Sequence, residues 1–89
     1  QLENNYPNPF NSNTTISYKL NLDNHIIVDI YDMSGKLILN LKNEFQNQGW
    51  HSVTWNGTNE LGHIVSGGVY FYQVQVGNFI QTKKMVLLK

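Results

Sequence analysis

The sequence has no cysteine, two prolines and six lysines that make up its entire cationic side-chain charge. Without cysteine there is no disulfide staple and no thiolate nucleophile or ligand. Six acidic residues balance the lysines, so the formal net charge is zero and the basic footprint of a nucleic-acid binder is missing. Charged residues are 13% of the chain, about half the usual share, and asparagine and threonine take their place on the surface. No apolar run approaches the roughly 18–20 residues that cross a bilayer as a helix. No apolar stripe of period 3.6 runs anywhere, which argues against amphipathic helices. No signal-peptide pattern opens the chain, so an exported protein carrying it is expected to have its targeting segment upstream.

What remains is a short, alternating, β-rich sequence. At 89 residues it is long enough for one domain with one thin core. Gln1 to Asn13 reads as a polar, extended leading segment or linker, because Pro7 and Pro9 fix their own φ and disfavour helix before them. Tyr6 and Phe10 are expected to tuck against the domain edge. Thr14 to Leu20 alternates with Ile16, Tyr18 and Leu20 on one face. His25 to Asp32 follows, with Ile26, Val28 and Ile30 inward and Asp29 and Tyr31 outward. Met33-Ser34-Gly35-Lys36 is a turn, and Leu37, Leu39 and Leu41 form the apolar face of the next strand. In Trp50 to Trp55 the parity puts His51, Val53 and Trp55 on one side and Trp50 on the other. Asn56 to His63 is a loop of turn formers.

The last quarter reads as one long hairpin. Val69 to Val76 is β-branched and aromatic, Gly77-Asn78 is a two-residue turn signal, and Phe79 to Leu88 returns. Strands recurring about every ten residues predict an antiparallel Ig-like β-sandwich of about six or seven strands, with a small barrel as the alternative. The expected core is Ile16, Tyr18, Leu20, Ile26, Val28, Ile30, Leu39, Val53, Trp55, Tyr70, Tyr72 and Val74.

Nothing in this pattern assembles a catalytic or metal site. His25, His51 and His63 lie at no metal-ligand spacing. Asp29 and Asp32, with Asn56, Asn59 and Glu60, are oxygen donors without a calcium-binding loop pattern. Ser34 and Ser66 precede glycines but lack the Gly-x-Ser-x-Gly setting. No enzyme, cofactor or metal is therefore expected. A carbohydrate-binding module is one alternative, with Trp50, Phe71 and Tyr31 as outward aromatics. A structural Ig-like spacer or assembly domain is another.

One further pattern runs through the whole chain. It comprises Asn5-Tyr6-Pro7-Asn8-Pro9-Phe10-Asn11 with Thr14-Thr15-Ile16, Ile30-Tyr31-Asp32-Met33-Ser34-Gly35-Lys36, Gly49, Trp55, Asn56-Gly57-Thr58, Ser66-Gly67-Gly68-Val69-Tyr70-Phe71-Tyr72, Lys83-Lys84-Met85 and Lys89. In that order it resembles the type A C-terminal sorting domain of type IX secretion cargo, a family similar to the Ig-like domain of flagellar hook-capping proteins. Departures at Ser12, Asn21, Asn56 and Ser66-Gly67 fall on turns.

The resemblance implies a non-catalytic domain that ends a larger cargo protein of a Bacteroidota-type bacterium. It also implies secretion to the outer cell surface by way of the periplasm. The type IX translocon's shuttle protein would read the domain, and a sortase would cleave it off. The family's recognition motifs fall on Gly68, Val69, Tyr70, Gly77, Lys83, Lys84, Met85, Val86, Leu87, Leu88 and Lys89. A sorting domain is terminal, so Lys89 is expected to end the parent protein. The physical expectation is that the tail forms an edge strand whose open rim a partner strand can join.

Overall fold

The computed structural model describes residues 1–88. Six strands follow one another: β1 (Thr14–Leu20), β2 (Asn24–Asp32), β3 (Leu37–Gln46), β4 (Gly49–Trp55), β5 (Gly68–Val76) and β6 (Phe79–Leu87). They form two antiparallel sheets, one of order β1-β4 and one of order β3-β2-β5-β6. The arrangement is the all-β, Ig-like sandwich that the alternation predicts. Apart from β3, each strand turns one side-chain parity toward the core and the other away, because successive side chains leave a strand on opposite faces.

The core between the sheets contains ten of the twelve expected residues, from Ile16 to Val74, while Leu39 and Val53 pack half-buried at its margin. Trp55 is fully buried and stands edge-on to Tyr70 (ring centroids 5.3 Å apart) and to Phe10 (5.7 Å). Its indole N–H donates to the Thr58 carbonyl at 2.9 Å, so no polar atom of the side chain is left dry.

The apolar face expected for β3 is wrong at one position. The β2–β3 register shifts between Val28 and Asp29 and again between Ile30 and Tyr31, leaving Leu41 and Ile38 as extra residues. Each bulge adds one residue and so reverses which parity faces inward. Leu39 therefore stands opposite Ile30 on the core side, whereas Leu37 stands opposite outward-facing Tyr31 and is exposed. Ile38 packs against the core in its place.

The leading segment is built into the sandwich. Gln1 to Tyr6 runs antiparallel along the outer edge of β1, with Leu2 opposite Tyr18 and Tyr6 opposite Thr15. The backbone then crosses to the other sheet and pairs in parallel with the end of β6, Phe10 opposite Leu87. Leu2 and Phe10 are core residues. Tyr6, expected to tuck in with Phe10, is instead 80% exposed, because its backbone bonds to Thr15 aim the side chain at solvent.

A buried polar knot holds this crossing. The Tyr72 hydroxyl, on β5, donates to the Glu3 carbonyl and accepts from the Asn5 amide, both at 2.9 Å. The Asn5 side-chain amide donates to Thr14 Oγ1 at 2.9 Å, and Thr14 Oγ1 donates to the Pro7 carbonyl at 2.8 Å.

Two substitutions test these supports. Trp55→Ala leaves an indole-sized cavity and is expected to cost about 3–5 kcal/mol in denaturant unfolding. Tyr72→Phe keeps the ring but strands the Asn5 amide without an acceptor. An expected loss of about 1–3 kcal/mol should appear in the same measurement, with the β5 and β6 amides still protected from hydrogen exchange.

Candidate recognition surface on the terminal hairpin

The β5–β6 hairpin carries every described residue on which the resemblance places recognition. Gly77 takes φ 58, the left-handed conformation that the first central position of a two-residue type II′ loop requires. A Cβ there would also meet Asn24 Nδ2 at 3.2 Å. The turn closes on the pair Val76 and Phe79, and the register continues through Tyr70–Met85 to Gly68–Leu87. Gly68 thus lies beside the tail at one end of the ribbon, and Gly77 lies at the other.

Burial divides these residues into two groups. Tyr70, Met85 and Leu87 are core residues, and the Tyr70 hydroxyl is occupied by the Ser66 carbonyl at 2.6 Å. Val69, Lys83 and Val86 are half-buried, while Gly68, Gly77, Lys84 and Leu88 are exposed. Lys89 lies outside the described residues.

The outer edge of β6 is open along part of its length. Val86 turns both backbone groups away from β5. Its carbonyl accepts from Phe10 N at 3.0 Å, and its amide donates to Asn8 Oδ1 at 3.0 Å. Leu88 N donates to the Phe10 carbonyl at 2.8 Å. By the two-residue alternation of an antiparallel ladder, Ile80, Thr82 and Lys84 face the same way as Val86. No strand pairs with them. The edge is therefore capped by the leading segment from Val86 onward and uncapped from Phe79 to Met85. The expected open rim stops short of the last residues because Asn8 and Phe10 already occupy it.

Along the uncapped stretch the side chains alternate. Thr82 and Lys84 lie on the outer face of the sheet. Phe79, Gln81 and Lys83 share the inner face with Val76, Val74 and Tyr72. An inward-pointing charge on an edge strand is a recognised guard against indiscriminate strand pairing. Near the turn the inner face meets the end of β1 and the turn that follows it. An open groove of about 550 Å³ lies there, lined by residues that include Leu20, Leu22, Val76, Phe79, Gln81 and Lys19.

The other candidate groups do not converge. Trp50 is 56% exposed on β4, whereas Tyr31 and Phe71 are cross-strand neighbours on the outer face of the opposite sheet. The three aromatics therefore form no common sugar-stacking platform. Among the described residues no three His, Asp or Glu side chains gather in a metal-binding group. Asp29 Oδ1 accepts from Asn40, Asn56 Oδ1 from Thr58, and Asn59 Oδ1 from the Leu61 and His63 amides. Asp32 organises the β2–β3 turn, its Oδ1 accepting from the Ser34 hydroxyl, the Ser34 amide and the Lys36 amide. The Ser34 hydroxyl first, then the Lys36 amide, hold its carboxyl below the usual carboxylate range. Among the described residues no helix is long and apolar enough to cross a membrane.

Comparison with known proteins gives this geometry a family. The model of the secretion system C-terminal sorting domain matches residues 4–88. The chain belongs to that family. It is a sorting signal of type IX secretion cargo, and the sorting-domain family is not catalytic. Its fold is similar to that of part of PorZ, an essential surface component of the type-IX secretion system of Porphyromonas gingivalis, at TM-score 0.68 and 22% identity over 99% of this chain. It is likewise similar to part of dimeric latent PorU from the same organism, at TM-score 0.76 and 22% identity over 98% of this chain. The chain spans 11% and 9% of the length of those two proteins. Comparison with curated protein sequences finds no match.

The Asp32 turn has a pH consequence. A carboxyl whose folded-state value is depressed contributes stability above its unfolded value and loses it as pH falls through the folded one. Thermal unfolding of wild type and Asp32→Asn should therefore differ most near neutral pH. The gap should narrow as pH falls below the ordinary carboxylate value and toward the depressed folded one, where Asp32 takes up its proton.

Proposed function

We propose that the secretion machinery reads this domain as a folded object, through the uncapped edge of β6. Recognition adds a strand from the translocon's shuttle protein to the backbone of Ile80, Thr82 and Lys84. The observation that carries this reading is the edge itself: a run of unpaired outward N–H and C=O groups at Ile80, Thr82 and Lys84, lying between Gly77 and Met85 and sharing Lys84 with the residues that the family resemblance marks. Main-chain pairing supplies affinity, and the flanking side chains supply selection. Lys83 and Lys84 sit at the rim, where charge sets encounter rate and register more than binding strength. Tyr70, Met85 and Leu87 act indirectly, by holding the ribbon flat against the core. A sortase then acts on the delivered cargo, releasing the domain at the cell surface.

The experiment fuses these 89 residues to the C-terminus of a passenger carrying an export signal, in a host with and without the type IX translocon. Export is expected only with the translocon. Thr82→Pro removes one outward N–H without touching the β5–β6 ladder, a place where an edge strand tolerates proline. It should cut export at least about tenfold while the purified fusion melts as the wild type does. Wild-type export of a folded Thr82→Pro fusion sinks the edge reading.

A further inference from the structure

The groove beside the uncapped edge has an occupant that follows from strand geometry. A strand joined to β6 would alternate its side chains as β6 does, so every second one would share the inner face with Phe79, Gln81 and Lys83. Toward the turn, that inner face is the floor of the groove. Leu20, Leu22 and Val76 line it with Phe79. Leu22 is 72% exposed and Phe79 63% exposed. An added strand would therefore lay its alternate side chains into an apolar slot next to its own backbone ladder.

The charge around the slot constrains the occupant further. Lys19 lines the groove, and Lys83 and Lys84 flank the edge. The only ion pair among the described residues joins Lys42 to Glu44 on β3, away from this side. Lys19 at the opening, Lys83 on the inner face of the edge and Lys84 on its outer face thus have no acidic partner in an ion pair among the described residues. Glu3, the acid of the neighbouring leading segment, has its carboxylate engaged by the Gln1 side-chain amide at 2.9 Å.

We infer that the groove is the selectivity pocket of the recognition edge. Its occupant is an extended segment of another protein, with an aliphatic or aromatic side chain aimed at Phe79 and Leu22 and acidic side chains beside Lys83 and Lys84. This rests on the edge reading above and adds to it the chemistry of the strand that binds. The cap on Val86 to Leu88 fixes the register. An incoming strand cannot slide past Met85, so its apolar residue is held at the turn end, over the groove.

The test uses the same passenger fusion and compares five variants: Thr82→Pro, the pair Leu22→Ser with Phe79→Ser, Phe79→Ser alone, Lys84→Glu and Lys84→Arg. Leu22, Phe79 and Lys84 are exposed, so the substitutions should leave the melting temperature of the purified fusion within a few degrees; the single serine variant serves if the pair does not fold. The inference expects export to fall at least about tenfold for the serine variants and for Lys84→Glu, with Lys84→Arg near wild type. If Thr82→Pro blocks export while folded serine variants export normally, the pocket is wrong and the edge stands. If Lys84→Glu exports like Lys84→Arg, the acidic character of the partner is wrong. Normal export of Thr82→Pro overturns both readings together.

Discussion

The domain has two sheets and one stretch of backbone that belongs to an edge of each. Gln1 to Tyr6 extends the β1–β4 sheet, and Asn8 to Phe10 extends the sheet that ends in β6. The Tyr72 hydroxyl fixes the segment just ahead of the crossover by donating to the Glu3 carbonyl and accepting from the Asn5 amide. Phe10 then inserts its ring against Trp55, at the centre of the core. Remove that crossing and two edges open at once, the core loses Leu2 and Phe10, and the tail loses the neighbour that defines where its free stretch ends. A chain this short buries too little surface to absorb such a loss easily.

That arrangement explains how an edge strand stays exposed in a secreted passenger without becoming a site of indiscriminate association. Most of the outer edge of β6, from Phe79 to Met85, is unpaired, yet it is short, bounded by a hairpin at one end and by Asn8 and Phe10 at the other. Lys83 points inward at its middle. These are the devices by which natural sheets admit a specific strand and discourage a wrong one. Exposure of the signal and protection of the fold are thus set by the same few residues.

Much of this was legible in the sequence, and the exceptions have physical causes. Strict alternation in Thr14–Leu20 and Val69–Val76 gave strand, face and burial together, and the parity argument correctly buried Trp55 and exposed Trp50. Leu37 was misplaced because a bulge is invisible to a parity count. Two of them in β3 shift the pairing while the residue types look continuous. The roles of Leu2 and Asn5 escaped, and Phe10 was expected only at the domain edge, because a segment with two prolines and several asparagines carries no periodicity. Its structure comes from partners more than fifty residues away, such as Tyr72 and Val86. The groove could not be read at all, since its walls come from the end of β1 with the turn after it and from the β5–β6 hairpin, more than fifty residues apart. Leu22 and Phe79 are simply apolar residues in or beside turns until the fold places them across from each other.

The parallel bridge between Phe10 and Leu87 also has a mechanical side. Strands that run alongside in the same direction are loaded in shear when the chain is drawn out by its two ends. The three bonds joining Asn8 and Phe10 to Val86 and Leu88 lie across that pull and carry it jointly. An antiparallel closure at this position would unzip one bond after another. A domain stretched between those two points would, by this geometry, hold at the bridge until its bonds give way together.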